Sequence, residues 1–188
     1  MQHTLTGRNI NVLRNIVLVV CFFGARLSLP AADKPSLDPH LEPLRPLLNK
    51  TWRGTFKNSN PEKPTTDIAR WERALNGKGV RILHSVNEGK YGGETIVMWD
   101  EQKQSLAYHY FTTAGFMTTG TMAFKDGKVV THEIVHGSAS GVAEVRGTSE
   151  IRADGTFQVK TEHLKQGEWL PGREVTYRED ASASVVFN

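Results

Sequence analysis

The sequence predicts an all-β fold, an antiparallel up-and-down β-barrel of about ten strands with a short N-terminal helical segment. Across residues 52–187, runs of about six to eight strand-forming residues are separated by turns rich in Gly, Asn or Asp. Several runs alternate apolar and polar side chains with a period of two, as antiparallel strands with one buried face do. The apolar faces also include small and polar residues, which favours a barrel with a cavity over a tightly packed sandwich.

Residues 1–32 are predicted to form a signal peptide. Arg8 and Arg14 precede an apolar run at residues 16–25, and small residues follow before a predicted cleavage site near Ala32. A basic start, a short apolar core and a small-residue cleavage site together direct export. We therefore expect a periplasmic or secreted mature protein, with no membrane span after cleavage. An uncleaved N-terminal anchor is the alternative.

The basic excess of the chain comes from this N-terminal segment. The whole chain has 23 Lys and Arg against 20 Asp and Glu, and residues 1–32 contribute three of the arginines and none of the acids, so the rest is balanced at 20 of each. Without a basic excess, we expect no affinity for nucleic acid. Cys21 is the only cysteine and lies in the same segment, so the mature protein is expected to have no disulfide. Lipidation is the alternative fate of Cys21.

Residues 33–50 are proline-rich and are predicted to form the short helical segment. Asp38 and Pro39 suit the N-cap and the first helical position, and Pro46 limits the length of the helix. Three leucines recur at helical spacing in this segment: Leu41, Leu44 and Leu48. We expect the segment to cover the barrel core as a plug rather than to act as a lid, because these leucines would otherwise be exposed.

Residues 51–188 are predicted to form the barrel. Alternation assigns a set of residues to its inner face: Val80, Ile82, His84, Val86, Val145, Gly147, Ser149, Phe157, Val159, Thr161 and His163. In residues 106–112 both faces are half apolar, so parity does not decide whether Tyr108 and Tyr110 or His109 and Phe111 point inward.

The inner face supplies the candidate ligand-binding residues. Gly147 and Ser149 leave volume that larger side chains would fill, while His84 and His163 offer polar contacts, and apolar linings with a few polar groups are typical of ligand pockets. The predicted set is His84, Trp99, Tyr110, Gly147, Ser149, Thr161 and His163. In small barrels, aromatic residues such as Trp99 and Tyr110 more often form core than contact a ligand.

One motif, His132-Glu133-x-x-His136, matches the zinc-protease pattern, which requires a helix. Its β-branched neighbours favour a strand instead. On a strand, the two histidines stand roughly 13 Å apart and Glu133 faces the opposite side, so they cannot share a metal ligated at about 2 Å. We therefore predict a strand without metal at this position.

No other catalytic signature is present, and we assign neither catalytic residues nor metal ligands. Residues 137–141 lack the central serine of a nucleophile elbow, and no glycine-rich phosphate loop precedes a helix. The sequence leaves two possibilities open: a three-His metal site, if His84, His132 and His163 point into one cavity from different strands, and a haem held by one His. The cofactor is therefore unknown.

A series of short motifs resembles the calycin superfamily, and within it most resembles a bacterial lipocalin-like, fatty-acid-binding-protein-like family. The motifs, in order, are residues 48–56 (LNKTWRGTF), 75–80 (LNGKGV), 93–100 (GETIVMWD), Gly120 and 176–178 (TYR). The resemblance covers about residues 48–187 and rests more on their order than on any one of them. It implies a ligand-binding barrel, and a cation–π contact between Trp52 and Arg178 that closes the barrel end.

The sequence therefore predicts an exported lipocalin-like protein that binds a small hydrophobic or amphipathic ligand in the barrel cavity. Two alternatives remain: an enzyme or metal- or haem-binding barrel that uses inward histidines, and a filled barrel that binds a partner through its loops. The sequence does not indicate the oligomeric state.

Overall fold

The computed structural model describes residues 36–188, so the predicted signal peptide lies outside the described residues. The strands are β1 Lys50–Phe56, β2 Thr66–Ala74, β3 Gly79–Val86, β4 Tyr91–Asp100, β5 Ser105–Thr112, β6 Met117–Lys125, β7 Lys128–His136, β8 Val142–Ile151, β9 Phe157–Lys165 and β10 Glu168–Glu179. Each pairs antiparallel with its neighbours in sequence, and β1 also pairs with β10, which closes a barrel of ten strands. The predicted fold class is confirmed.

Two tight hairpin turns show how the sequence sets this topology. Asp126 and Gly127 join β6 to β7 with φ of 51° and 75°, and Gln166 and Gly167 join β9 to β10 with φ of 53° and 85°. A two-residue turn with positive φ at both positions matches the twist of the flanking strands, and glycine adopts that conformation without strain. These dipeptides therefore fix the register of their hairpins.

The chain leads into the barrel through a 3-10 helix at Pro39–Leu47, here named the plug helix. The Asp38 carboxylate caps it by accepting a hydrogen bond of 3.1 Å from the backbone nitrogen of His40. Side chains three residues apart share one face of a 3-10 helix, and its buried leucines follow that spacing: Leu41, Leu44 and Leu47. They pack on the barrel core together with Leu48, as the plug interpretation predicts.

Within residues 36–188, no helix is both long enough and apolar enough to cross a membrane.

The closely packed part of the core lies next to the plug helix. The ring centroid of Phe157 is 5.8 Å from those of Trp52 and Tyr177 and 5.9 Å from that of Trp71. The indole nitrogen of Trp52 donates a hydrogen bond of 3.3 Å to the backbone oxygen of Leu47. Burial of each large apolar side chain stabilises the fold by about 1.5–3 kcal/mol, so this aromatic cluster anchors the plug helix to the barrel.

The predicted contact between Trp52 and Arg178 is wrong. Trp52 points into the barrel, whereas Arg178 lies opposite Arg53 on β1 and is exposed on the outer face. Side chains of adjacent strands in one sheet contact each other only when they share a face. The cation near the Trp52 ring is instead Lys50, whose Nζ lies 5.5 Å from the ring centroid.

Candidate ligand-binding cavity

The barrel encloses a cavity of about 530 Å³, to which all ten strands contribute side chains. This volume lies within the range of about 300–1,000 Å³ that small-molecule sites occupy. Toward the plug helix its wall is mainly apolar, formed by Trp71, Tyr108, Met122, Val129 and Phe157. The indole nitrogen of Trp71 is the one buried side-chain nitrogen or oxygen of the described residues without a hydrogen-bond partner.

Small residues on β8 and β9 create part of this space. Gly147 pairs with Thr161 and Ser149 pairs with Val159 on the neighbouring strand, and all four line the cavity. A Cβ on Gly147 would lie 2.6 Å from Oγ1 of Thr131. Glycine at this position therefore both leaves volume and allows Thr131 to approach the backbone.

Polar side chains gather at the end of the cavity away from the plug helix. In an up-and-down barrel the even strands begin where the odd strands end. Asp67 and Tyr91 lie near the starts of β2 and β4, while His84, Glu133 and His163 lie near the ends of β3, β7 and β9. All five line the cavity, so its two ends differ in polarity.

Four of the polar residues form a chain of hydrogen bonds. Asp67 Oδ1 lies 3.1 Å from His84 Nδ1, and His84 Nε2 lies 2.8 Å from the hydroxyl of Tyr110, which lies 2.8 Å from that of Tyr91. An ionised carboxylate only accepts, so His84 donates to Asp67 from Nδ1. The chain thus uses both nitrogens of His84.

The tyrosines of this network remain neutral. Burial raises the pKa of Tyr110 and, to a smaller extent, that of Tyr91, and it also raises the pKa of Tyr177. The Tyr177 hydroxyl donates a hydrogen bond of 2.7 Å to Asp67 Oδ2. These groups therefore act as hydrogen-bond donors and acceptors, not as phenolate nucleophiles.

A β-bulge in β10 places Arg173 in the cavity wall. Pro171 pairs with Glu162 and Glu174 with Lys160, so both Gly172 and Arg173 stand opposite Thr161. The Arg173 backbone nitrogen donates to Thr161 Oγ1 at 2.9 Å, and bulges are a known means of redirecting a side chain next to a functional site. The guanidinium Nη1 of Arg173 lies 3.9 Å from Asp67 Oδ2.

The zinc-protease-like motif lies on β7, as predicted. His132 and His136 point outward, where their Nε2 atoms lie 2.6 Å from Glu144 Oε2 and 3.0 Å from Thr119 Oγ1. Glu133 points into the cavity on the opposite face. Among residues 36–188, no group of three or more His, Cys, Asp or Glu side chains is arranged to hold a metal ion.

The structure corrects the suggestion that three histidines share the cavity. His84 and His163 line it, but His132 is on the outer surface, because it alternates with the inward Thr131 and Glu133. Burial, and then the charge of Arg173, lower the pKa of His163. His163 is therefore neutral near neutral pH.

Most of the predicted ligand-binding residues line the cavity: His84, Tyr110, Gly147, Ser149, Thr161 and His163. Trp99 does not. Its ring stacks on His40 at 3.6 Å between centroids, and its indole nitrogen donates to Glu101 Oε2 at 2.7 Å. The structure also settles the inner face of β5, where Tyr108 and Tyr110 point inward. Ligand binding by any of these residues stays a prediction.

Sequence reasoning missed many of the polar residues of the cavity, among them Asp67, Tyr91, Glu133, Arg173 and Tyr177. Parity alone identifies two of them, because Arg173 and Tyr177 alternate with outward residues in step with the buried Val175. Charged side chains usually lie on the solvated face, so residue type gives no signal that Asp67 and Arg173 point inward.

Comparison with known proteins supports the fold and goes no further. No family model and no curated protein matches the chain. Among solved structures, the crystal structure of Rv2717c from M. tuberculosis matches with a TM-score of 0.51 and 14% sequence identity, and the match covers 76% of this chain and 96% of that chain. This likeness is consistent with the antiparallel barrel described above. At this identity it shows the fold alone.

Proposed function

We propose that this protein reversibly binds a small hydrophobic or amphipathic ligand inside its barrel. The observation that carries the proposal is the 530 Å³ cavity, mainly apolar near the plug helix and polar at the other end. A ligand with an apolar body and a polar group matches this division. Its apolar part gains about 25 cal/mol for each Å² removed from water.

The cost of the cavity to the fold supports a binding role. An unfilled volume lined by apolar side chains makes a folded protein less stable than a filled core does. Larger residues at Gly147 and Ser149 would fill part of this volume. A barrel that served only as a scaffold for its loops would have no use for the space.

The arrangement of the polar groups favours binding over catalysis. Both nitrogens of His84 are used by Asp67 and Tyr110, so His84 has no free nitrogen for a metal or a substrate proton. The raised pKa of Tyr110 makes its hydroxyl a poor nucleophile. A rigid, prearranged network of this kind suits the recognition of a ligand's polar group.

Export is part of the proposal and rests on the N-terminal sequence alone, the basic start and apolar run of residues 1–32. In the periplasm or outside the cell, the protein would carry or sequester its ligand.

Native mass spectrometry of the protein purified from its own host tests the proposal. We expect a co-purifying small molecule, seen as added mass that organic solvent removes. In parallel, titration of the stripped protein with the neutral fluorophore N-phenyl-1-naphthylamine should give saturable binding in the micromolar range, about −8 kcal/mol. An unliganded protein that also fails to bind the fluorophore would contradict the proposal.

A further inference from the structure

The cavity holds three charged side chains that the binding proposal leaves unexplained: Asp67, Glu133 and Arg173. No other Lys, Arg, Asp or Glu of residues 36–188 lines it. Charges in a low-dielectric interior are costly unless they are compensated. A charged side chain of the cavity without a partner of opposite charge therefore indicates the charge of the ligand that the cavity binds.

Asp67 and Arg173 compensate each other. The Asp67 side chain is 1% exposed, with Arg173 Nη1 at 3.9 Å. Tyr177 and His84 also contact its two oxygens at 2.7 and 3.1 Å. This carboxylate has donors on both oxygens and a cation beside it, so it needs nothing from a ligand.

The hydrogen-bond partners of Glu133 are neutral hydroxyl groups. The Thr118 hydroxyl donates to its Oε2 at 2.6 Å, and the Tyr108 hydroxyl also interacts with it. No Lys, Arg or His of residues 36–188 forms an ion pair with Glu133. His163 shares the cavity but is neutral, because burial lowers its pKa. Arg173 also attracts Glu133 electrostatically, but within residues 36–188 its ion-pair contact is with Asp67. The lining of the cavity therefore holds two carboxylates against one guanidinium, and Glu133 is the carboxylate without a cation at contact distance.

The pairing register of β5, β6 and β7 determines what lies next to Glu133. Tyr108 on β5 pairs with Gly120 on β6, which pairs with Glu133 on β7. A Cβ on Gly120 would lie 2.5 Å from Cζ of Tyr108 and 2.7 Å from its hydroxyl. The Tyr108 ring thus extends across Gly120 toward Glu133, and it fixes the carboxylate beside the apolar wall.

We propose that Glu133 binds the cationic group of an amphipathic amine whose apolar part occupies the cavity toward the plug helix. This inference rests on the proposed function and names its ligand class. A neutral ligand would shield the half-buried Glu133 from solvent without bringing it a counter-charge. An anionic ligand would add a second uncompensated negative charge and would compete with Asp67 for Arg173. A monocation supplies the counter-charge that Glu133 lacks at contact distance.

Three probes with the same alkyl chain test the ligand class: decylamine, decanol and decanoate. Each is titrated below its micellar concentration against bound N-phenyl-1-naphthylamine, with isothermal calorimetry as a direct check. We expect decylamine to bind about tenfold or more tightly than decanol, and decanoate to bind more weakly than decanol, because a desolvated ion pair favours the complementary charge.

The variant Glu133→Gln tests the residue. Its amide oxygen can still accept the Thr118 hydrogen bond, so the shape of the site is kept while the charge is removed. We expect decylamine binding to fall to the decanol level and decanol binding to stay the same or improve. The matched control is Glu144→Gln, a carboxylate on the outer face paired with His132, which should leave all three affinities unchanged.

The outcomes separate this inference from the function on which it rests. Equal binding of decylamine and decanol to the wild-type protein, or an amine preference that persists in Glu133→Gln, overturns the amine assignment and leaves cavity binding intact. A preference for decanoate also overturns it. Failure of all three probes, together with the fluorophore, removes both proposals. The wild-type ranking decides the matter even if Glu133→Gln does not fold.

Discussion

The hydroxyl of Tyr177 reaches Asp67, 110 residues earlier in the chain, because a glycine lies between them. Gly54 on β1 pairs with Tyr177 on one side and with Asp67 on the other. A Cβ on Gly54 would lie 2.5 Å from Cδ1 of Tyr177. The ring crosses β1 through the space that the missing side chain leaves, and the contact joins β10 to β2 at the barrel closure.

The same arrangement recurs at two other places. The Tyr108 ring crosses Gly120 toward Glu133, and a Cβ on Gly93 would lie 2.5 Å from Cε2 of Tyr110, whose hydroxyl contacts His84. In each case a tyrosine, a glycine and a polar residue occupy three successive strands. Glycine is required here for close approach and not for its backbone conformation.

Gly54→Ala should destabilise the protein. The added methyl group overlaps the rings and methyl groups of Tyr177 and Val175, both at 2.5 Å in the parent structure, and overpacking of this kind costs about 1–3 kcal/mol. Chemical denaturation measures the free energy of unfolding. Thr55→Ala, at an exposed site on the same strand, serves as the control. If both variants unfold like the parent, the crossing of Tyr177 over Gly54 is wrong.

Tyr177→Phe should also lower the free energy of unfolding, by about 1–3 kcal/mol, because it removes a donor from a buried carboxylate. Asp67 is the acceptor, at 2.7 Å. Tyr91→Phe is the comparison, since the Tyr91 hydroxyl lies at the end of its hydrogen-bond chain and is only partly buried. We expect Tyr91→Phe to lower the free energy of unfolding less than Tyr177→Phe does. A larger loss for Tyr91→Phe in urea denaturation would contradict the assigned hydrogen-bond network.

Ser149→Leu should weaken ligand binding by filling the cavity, and it should leave stability the same or improve it. N-phenyl-1-naphthylamine titration and thermal melting measure the two effects. Thr121→Leu adds the same side chain on the exposed outer face and should change neither. Gly147→Leu should also weaken binding, but its Cβ forces Thr131 to move, so Ser149→Leu is the cleaner variant. Unchanged probe binding in both cavity variants would place the ligand elsewhere.

His163 should make the protein less stable in mild acid. Burial lowers its folded-state pKa below 6.5, so the unfolded chain binds a proton more readily. Stability from this residue is therefore complete above about pH 6.5 and falls as the pH drops through that region. Between about pH 7.5 and 5.5, His163→Gln should lose less free energy of unfolding than the parent. Equal losses in the parent and in His163→Gln would rule out a half-buried His163 whose pKa is lowered by desolvation.

Export should yield a mature chain that begins near Asp33. Expression of the full sequence in a bacterium, followed by fractionation and N-terminal sequencing, checks this expectation. Replacing residues in the apolar run, for example Val19→Glu and Val20→Glu together, should hold the protein in the cytoplasm with its N-terminus intact. A parent protein that keeps Met1 in the cytoplasm would contradict the signal-peptide interpretation.

Much of the fold could be predicted because its signals are local. Alternation in β8 and β9 assigned Gly147, Ser149, Thr161 and His163 correctly to the inner face, since side-chain direction in a strand depends only on the backbone of that strand. The β-branched residues around His132 likewise indicated a strand without reference to the rest of the molecule. These inferences needed no knowledge of which strands are neighbours.

The predictions that were wrong or undecided concern contacts that depend on the pairing register of neighbouring strands or on the packing of the plug helix. Trp52 does not contact Arg178, because pairing places Arg178 opposite Arg53 on the outer face. The Trp99 ring stacks on His40 of the plug helix. No local sequence pattern indicates where this helix packs on the barrel. The inner face of β5 was undecided because both of its faces carry aromatic residues.

The sequence by itself determined the barrel, its strand directions and the plug helix, because turn dipeptides and period-two alternation act within a few residues. Only the tertiary structure decided the chemistry of the cavity. Asp67 meets Tyr177 across Gly54, and Arg173 reaches Asp67 from a bulge that inserts one residue opposite Thr161. Contacts between residues so far apart in the chain follow from register and closure, which pair them only once all ten strands are in place.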